Sequence, residues 1–161
     1  MPNVLVETRG GWLGAKRTAL LDAIHAATVE ALRIRPDALV LRLVEHPMEC
    51  FAIPHGTAEQ YTHIVITMFA GRSLSAKRAL YQAIVRNLEP FGVPPGDVRI
   101  ILQEVARENV GMRGGKAAVD LELGYEVRVL GDPCPTGCCT IRPSSASRVR
   151  ATASRTSAAP A

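Results

Sequence analysis

The chain has 161 residues, of which 47% are hydrophobic, 4% aromatic and 21% charged. This composition is sufficient for one hydrophobic core in a small soluble domain. No run of the sequence approaches the roughly 20 consecutive apolar residues of a transmembrane helix, and the N-terminus lacks a basic region followed by a hydrophobic stretch. We therefore expect a cytoplasmic protein that has no membrane partner.

The positive charge of the chain is concentrated near its C-terminal end. The formal net charge is +4. Residues 131–161 contribute +3 of it, from one aspartate and four arginines: Asp132, Arg142, Arg148, Arg150 and Arg155. Residues 1–130 are therefore nearly neutral, and we expect no nucleic-acid partner.

Pro2 directly precedes an apolar strand, Val4–Val6. We expect Met1 to be removed because the next residue is small, which leaves Pro2 with a free secondary amine. The ordinary α-amino pKa of about 7.7 to 8.0 is already near neutrality, and burial or a nearby arginine lowers it further because both disfavour the ammonium form. Such an amine is suited to general acid–base catalysis. A Met-Pro start is also common in proteins where it has no function, so the remaining sequence must decide.

The first half of the chain, about residues 2–60, reads as strand, helix, strand. Its helix is predicted by six residues at helical spacing: Leu20, Leu21, Ile24, Ala27, Thr28 and Ala31. Pro36 ends this helix. A nearly continuous apolar run over residues 39–44 predicts the second strand.

The second half, about residues 61–130, repeats the first at an offset of about sixty residues. The segment Leu13–Arg17 recurs as Leu74–Arg78. Ser73 is the expected N-cap of the second helix, whose apolar stripe is Leu80, Ile84, Leu88 and Phe91. Apolar runs over residues 64–69 and 98–102 predict its two strands, and a last strand is expected over residues 125–130.

Two consecutive βαβ units predict an α+β domain with a four-stranded mixed sheet. Right-handed crossovers place both helices on one face of that sheet. The apolar strands predict a sheet that is buried on both faces, and no remaining segment of the chain can pack on the second face. We therefore expect oligomerisation, with sheets packed inside and helices outside.

Residues 131–161 are rich in Ser, Ala, Thr, Pro and Arg and show no apolar period, so we predict a disordered tail. The spacing of Cys134, Cys138 and Cys139 matches no standard zinc pattern, and no histidine follows His63. We expect neither a metal nor a cofactor. His55 and His63 flank a loop that runs to Tyr61, but no carboxylate orients either histidine at motif spacing.

Three segments, in order, look like a whole subunit of 4-oxalocrotonate tautomerase: Phe69–Lys77, Asp97–Glu104 and Gly111–Gly115. Together with Pro2 and the duplicated halves, they make the chain resemble the fused members of the tautomerase superfamily. Those members include malonate semialdehyde decarboxylase and, more remotely, macrophage migration inhibitory factor. The resemblance covers roughly residues 2–129 and leaves the tail without a counterpart.

The resemblance implies a cofactor-free keto–enol tautomerase, an isomerase acting on a small carboxylate-bearing substrate. It implies a homotrimer of fused subunits in which the Pro2 amine transfers the proton. Arg72 matches the position of a catalytic arginine that binds the substrate carboxylate, and Arg99 matches a second substrate-binding arginine. A guanidinium binds a carboxylate through two parallel hydrogen bonds, and its charge stabilises a developing dienolate.

The chain also departs from the related enzymes. Ala38 stands where the decarboxylase has an aspartate, with Asp37 one position early, and Ala70 stands where the decarboxylase has a second arginine. Val110 replaces an aromatic wall residue of 4-oxalocrotonate tautomerase. The two departures from the decarboxylase, at Ala38 and Ala70, favour simple proton transfer. Two alternatives remain open: a decarboxylase or hydratase of a short 3-oxo or halogenated acid, and a binding protein with vestigial tautomerase activity.

Overall fold

The structure, a computed structural model, describes residues 2–122. Its main elements, in chain order, are β1 Asn3–Arg9, α1 Arg17–Leu32, β2 Val40–His46, β3 Thr62–Phe69, α2 Leu74–Leu88 and β4 Val98–Val105. A small hairpin follows, formed by β5 Gly111–Met112 and β6 Lys116–Ala117. The predicted strand over residues 125–130 and the predicted tail over residues 131–161 lie outside the described residues.

The four long strands form one mixed sheet in the order β2-β1-β3-β4. Strands β1 and β2 are parallel, β3 and β4 are parallel, and β1 and β3 pair antiparallel at the centre. The α+β fold with tandem βαβ units is thereby confirmed.

Both helices cover the same face of the sheet. The core between them includes Val4, Val6, Ile64 and Ile66 from the central strands, and Leu20, Ile24, Leu80, Ile84 and Leu88 from the helices, each at most 1% exposed. Ser73 caps α2, because its hydroxyl accepts a hydrogen bond from the backbone N–H of Ala76 at 3.2 Å. The helical periods read from the sequence therefore identified the face that packs on the sheet.

The opposite face of the sheet carries alternating apolar and polar side chains. Its apolar members include Val40, Val44 and Ile101, which are 45%, 38% and 41% exposed. Because successive strand residues point to opposite faces, these side chains lie away from the helices. In the described part of the chain this face thus keeps substantial apolar area in contact with solvent.

Within residues 2–122, neither helix is long and apolar enough to cross a membrane.

Candidate active site

Pro2 lies at the end of the sheet where β1 and β2 begin and where β3 and β4 finish; we also call this end the Pro2 edge. Pro2 is buried, and its carbonyl oxygen accepts a hydrogen bond from the backbone N–H of Val40 at 3.2 Å. That bond extends the parallel pairing of β1 with β2 by one residue. The position of Pro2 is therefore set by the sheet itself.

Arg72 lies at this same edge, in the loop that joins β3 to α2. Gly71 makes the turn with a φ of 109°, a value that residues other than glycine rarely adopt. The Nη1 atom of Arg72 donates a partly buried hydrogen bond of 2.8 Å to the carbonyl oxygen of Leu32. Leu32 is the last residue of α1, where backbone carbonyls lack helical partners. Arg72 thus stabilises the end of α1 and brings its charge to the edge where Pro2 lies.

Glu104, near the end of β4, holds the loop that carries Arg72. Its carboxylate accepts a hydrogen bond of 2.7 Å from the Nζ atom of Lys77, and the backbone N–H groups of Gly71 and Arg72 also donate to it. The bond from Lys77, helped by the charge of Lys77 and by the two backbone donors, lowers the pKa of Glu104 below its ordinary value despite some burial. The carboxylate therefore stays ionised at neutral pH and fixes the loop.

Arg99 lies at the other end of the sheet. Asn3 pairs with Thr67, and Thr67 pairs with Gln103, which is four residues beyond Arg99 on β4. At about 3.3 Å per residue, Pro2 and Arg99 of one chain are separated by about 16 Å along the strands and by two strand spacings across them. A single chain therefore brings Arg72 to the edge of Pro2 but does not bring Arg99 there.

Arg99 is exposed and lines a shallow pocket of about 320 Å³. The other lining residues are Phe51, Ala52, Pro54, Tyr61, His63 and Ile101. His63 pairs with Arg99 in the register of β3 and β4, so both side chains lie on the face of the sheet opposite the helices. Tyr61 and His63, which the sequence analysis noted at one loop, both line this pocket.

The carboxylate of Glu7, on β1, contacts two histidines on this face. Its Oε2 atom lies 3.2 Å from Nδ1 of His63, and its Oε1 atom lies 3.1 Å from Nε2 of His46. No carboxylate lies at motif spacing from His63, as the sequence indicated, but Glu7 contacts it from a distant part of the chain. Motif spacing missed Glu7 because it is far away along the chain and reaches His63 only through the antiparallel pairing of β1 with β3.

Asp37 forms an exposed ion pair with Arg35, two residues before it. Hydrogen bonds of 2.9 and 2.7 Å join the two carboxylate oxygens to Nε and Nη2 of Arg35. These bonds, reinforced by the charge of Arg35, lower the pKa of Asp37. Asp37 is therefore an ionised surface carboxylate, three residues before the start of β2 at the end of the sheet where Pro2 lies.

Comparison with known proteins agrees with this architecture. A family model described as tautomerase enzyme matches residues 38–113. The structure of Pt0534 inactivated by 2-oxo-3-pentynoate is similar with a TM-score of 0.68 and 24% identity, covering 73% of this chain and 97% of that chain. The resemblance to the tautomerase superfamily is confirmed.

Two further structures show the same likeness. Native fused 4-OT has a TM-score of 0.67 and 22% identity, covering 76% of this chain and 99% of that chain. FG41 malonate semialdehyde decarboxylase inhibited by 3-bromopropiolate has a TM-score of 0.62 and 26% identity, covering 68% of this chain and 88% of that chain. Both tautomerase and decarboxylase structures thus match this chain. The matched family segment contains Arg72 and Arg99 and begins after Pro2, so the role of Pro2 is argued from its position in the fold.

Proposed function

We propose that this protein is a cofactor-free tautomerase that uses the free amine of Pro2 to move a proton within a small carboxylate-bearing substrate. The observation that carries the proposal is the convergence of two groups at one edge of the sheet. Pro2 is buried where β1 begins, and Arg72 stands in the loop after β3 at that same edge. A buried base at the same end of the sheet as a guanidinium suits proton abstraction next to a carbonyl group.

In the proposed reaction, the amine of Pro2 removes a proton from the carbon next to the substrate carbonyl. The electron pair of the broken C–H bond moves toward the carbonyl oxygen and forms an enolate. Arg72 binds the substrate carboxylate and stabilises the added negative charge. The protonated amine then returns the proton to another carbon, or to the oxygen, and the free base is restored.

We further propose that the protein works as a homotrimer and that Arg99 reaches the Pro2 site from a neighbouring chain. Arg99 cannot reach Pro2 of its own chain across about 16 Å of sheet. The apolar side chains opposite the helices also favour association, because soluble monomers rarely leave such a face exposed. Similar structures of fused 4-OT are described as symmetric and asymmetric trimers.

The decisive experiment compares a free and an acylated Pro2 nitrogen. Protein with Met1 removed should convert an enol acid such as phenylenolpyruvate or 2-hydroxymuconate to its keto form, followed by absorbance. An N-terminal extension turns the amine into an amide, which is no base, and should lower the rate by about 10²- to 10⁴-fold. The same extension placed at the C-terminus is the matched control and should have no effect. Equal rates for the two tagged proteins would refute catalysis by Pro2.

The second candidate is a decarboxylase or hydratase of a short 3-oxo or halogenated acid. It is favoured by Asp37, an ionised carboxylate held by Arg35 near the start of β2. Such a carboxylate could position water near Pro2. Release of carbon dioxide from malonate semialdehyde, lost in Asp37→Asn and retained in Asp22→Asn on helix α1, would support this candidate over simple tautomerisation.

A further inference from the structure

The loop between β3 and α2, which carries Arg72, is bound along its backbone to strand β4. The N–H group of Ala70 donates a hydrogen bond of 3.0 Å to the carbonyl oxygen of Val105, and the N–H groups of Gly71 and Arg72 donate to the carboxylate of Glu104. Three consecutive backbone donors are therefore held by two neighbouring residues of β4. A loop fixed in this way gives the Cα–Cβ bond of Arg72 one direction.

Lys77 holds the carboxylate of Glu104 in the place that this loop requires. Its Nζ atom lies 2.7 Å from Oε2 of Glu104, and the two side chains are 22% and 32% exposed. Lys77 is itself fixed at the start of α2, because its backbone N–H donates to the carbonyl oxygen of Ser73 at 3.1 Å. Hydrogen bonds between ionised partners are about twice as strong as neutral ones. The pair thus connects α2, β4 and the loop of Arg72.

The guanidinium of Arg72 is held at its other end by helix α1. Its Nη1 atom donates a hydrogen bond of 2.8 Å to the carbonyl oxygen of Leu32, and the chain leaves the helix at Arg33, whose φ of 50° lies in the left-handed region. A guanidinium carries its five N–H donors in one rigid plane, so this bond sets the plane in which all of them lie. Arg72 is therefore oriented through its backbone by Glu104 and at its tip by α1.

The first half of the chain has an ion pair of the same kind but no arginine for it to orient. Arg17, at the start of α1, pairs with Glu45 near the end of β2. The residue after the loop glycine of this half is Trp12, whose Nε1 atom donates to the hydroxyl of Thr8 at 3.0 Å. This loop follows β1 and so lies at the end of the sheet opposite Pro2. The ion pair therefore supports the fold in both halves, and in the second half it also holds an arginine.

We propose that Glu104 and Lys77 are positioning residues for the tautomerase reaction, because they aim Arg72 at the carboxylate of the substrate. The inference rests on the proposed function, in which Arg72 binds that carboxylate. Glu104 and Lys77 act through Arg72 and do not contact the substrate. Two parallel N–H donors bind a carboxylate with a defined geometry, and a misplacement of about 1 Å can lower a rate by about 10²-fold. Loss of the Glu104 carboxylate should therefore weaken carboxylate binding although the guanidinium itself is unchanged.

The experiment uses the full chain with a free Pro2 amine and measures ketonisation of phenylenolpyruvate and of its neutral methyl ester. Glu104→Gln removes the charge that binds Lys77. We expect it to lower kcat/KM for the acid by about 10- to 100-fold, mainly by raising KM, and to change the value for the ester little. Lys77→Met should act in the same direction, and Lys77→Arg, which keeps a charged donor, should restore most of the loss.

Two comparisons separate positioning from a general effect on the fold. In an Arg72→Ala background, Glu104→Gln should cause little further loss, because no guanidinium is left to orient. Glu45→Gln is the matched control, since it removes the corresponding carboxylate of the first half and should lower the urea midpoint without changing kcat/KM. Equal losses for Glu104→Gln with and without Arg72, or on the acid and the ester, would overturn the proposal.

Binding of fumarate, an unreactive dicarboxylate, is measured by calorimetry in the same variants and does not depend on proton transfer. Circular dichroism and light scattering establish that each variant keeps the fold and mass of the parent. Glu104→Gln should raise the Kd for fumarate by about 10- to 100-fold, the value of a hydrogen bond to a charged group. Fumarate that binds the parent no more tightly than the folded variant would contradict the positioning role. The proposed function fails by a different result, which is equal ketonisation with a free and a blocked amine.

Discussion

Replacing Arg72 should affect both the stability of the fold and the rate of the reaction, and the two effects have different sizes. In Arg72→Ala the carbonyl oxygen of Leu32 loses its hydrogen bond of 2.8 Å at the end of α1. A bond from a charged donor contributes about 1.5 to 3 kcal/mol, and the site is only partly buried. Because partial burial weakens the bond, we expect the free energy of unfolding to fall by about 1 to 2 kcal/mol, near the bottom of that range.

The catalytic effect should be larger. Loss of a strong donor to the transition state costs about 3 to 4 kcal/mol, which corresponds to a fall in kcat/KM of about 10²- to 10³-fold for a substrate carrying a carboxylate. A neutral ketone should lose much less, because it has no carboxylate for the guanidinium to bind. Arg72→Lys keeps the charge but not the planar pair of donors, so its kcat/KM should lie between those of the parent and Arg72→Ala.

Urea unfolding gives the first quantity, and enol-to-keto kinetics with matched charged and neutral substrates give the second. Arg78→Ala, on the exposed surface of α2, is the control for loss of one positive charge near this edge. Equal losses on charged and neutral substrates would show that Arg72 acts only by holding the end of α1.

Three further predictions concern the loop, the core and the assembly. The folded-state pKa of Glu104 is depressed below its ordinary value of 4.5. The stabilisation from its ionised form is therefore present above pH 4.5 and is lost as the pH falls through the lower folded value. The difference in urea midpoint between the parent and Glu104→Gln should shrink from about pH 7 to about pH 3, and a constant difference would contradict the role of the Lys77 bond. Ile84 is 0% exposed, so Ile84→Ala should lower the free energy of unfolding by about 2 to 5 kcal/mol, against a much smaller loss for the partly exposed Val85→Ala; similar losses would be inconsistent with the core described. Protein ending at Leu130 should remain an active trimer by light scattering and kinetics, and a monomeric mass would refute packing through the exposed sheet face.

In the structure, the two halves of the tandem repeat share more than the order of their elements. Gly11 and Gly71, which follow β1 and β3, have similar φ values of 103° and 109°. Each half also carries an ion pair between a cation at the start of its helix and a glutamate near the end of its second strand. These pairs are Arg17 with Glu45 and Lys77 with Glu104.

Only the tertiary structure decided which side chains meet. The sequence determined the features that depend on residues close together along the chain. These are the helical stripes, the Ser73 cap and the apolar strands. The contact of His63 with Glu7 depends instead on the register of β1 with β3. A shift of one residue in this register would turn every side chain of the shifted strand to the other face. Packing of the whole core against both helices selects that register, which is why no local pattern in the sequence could show that Glu7 contacts His63.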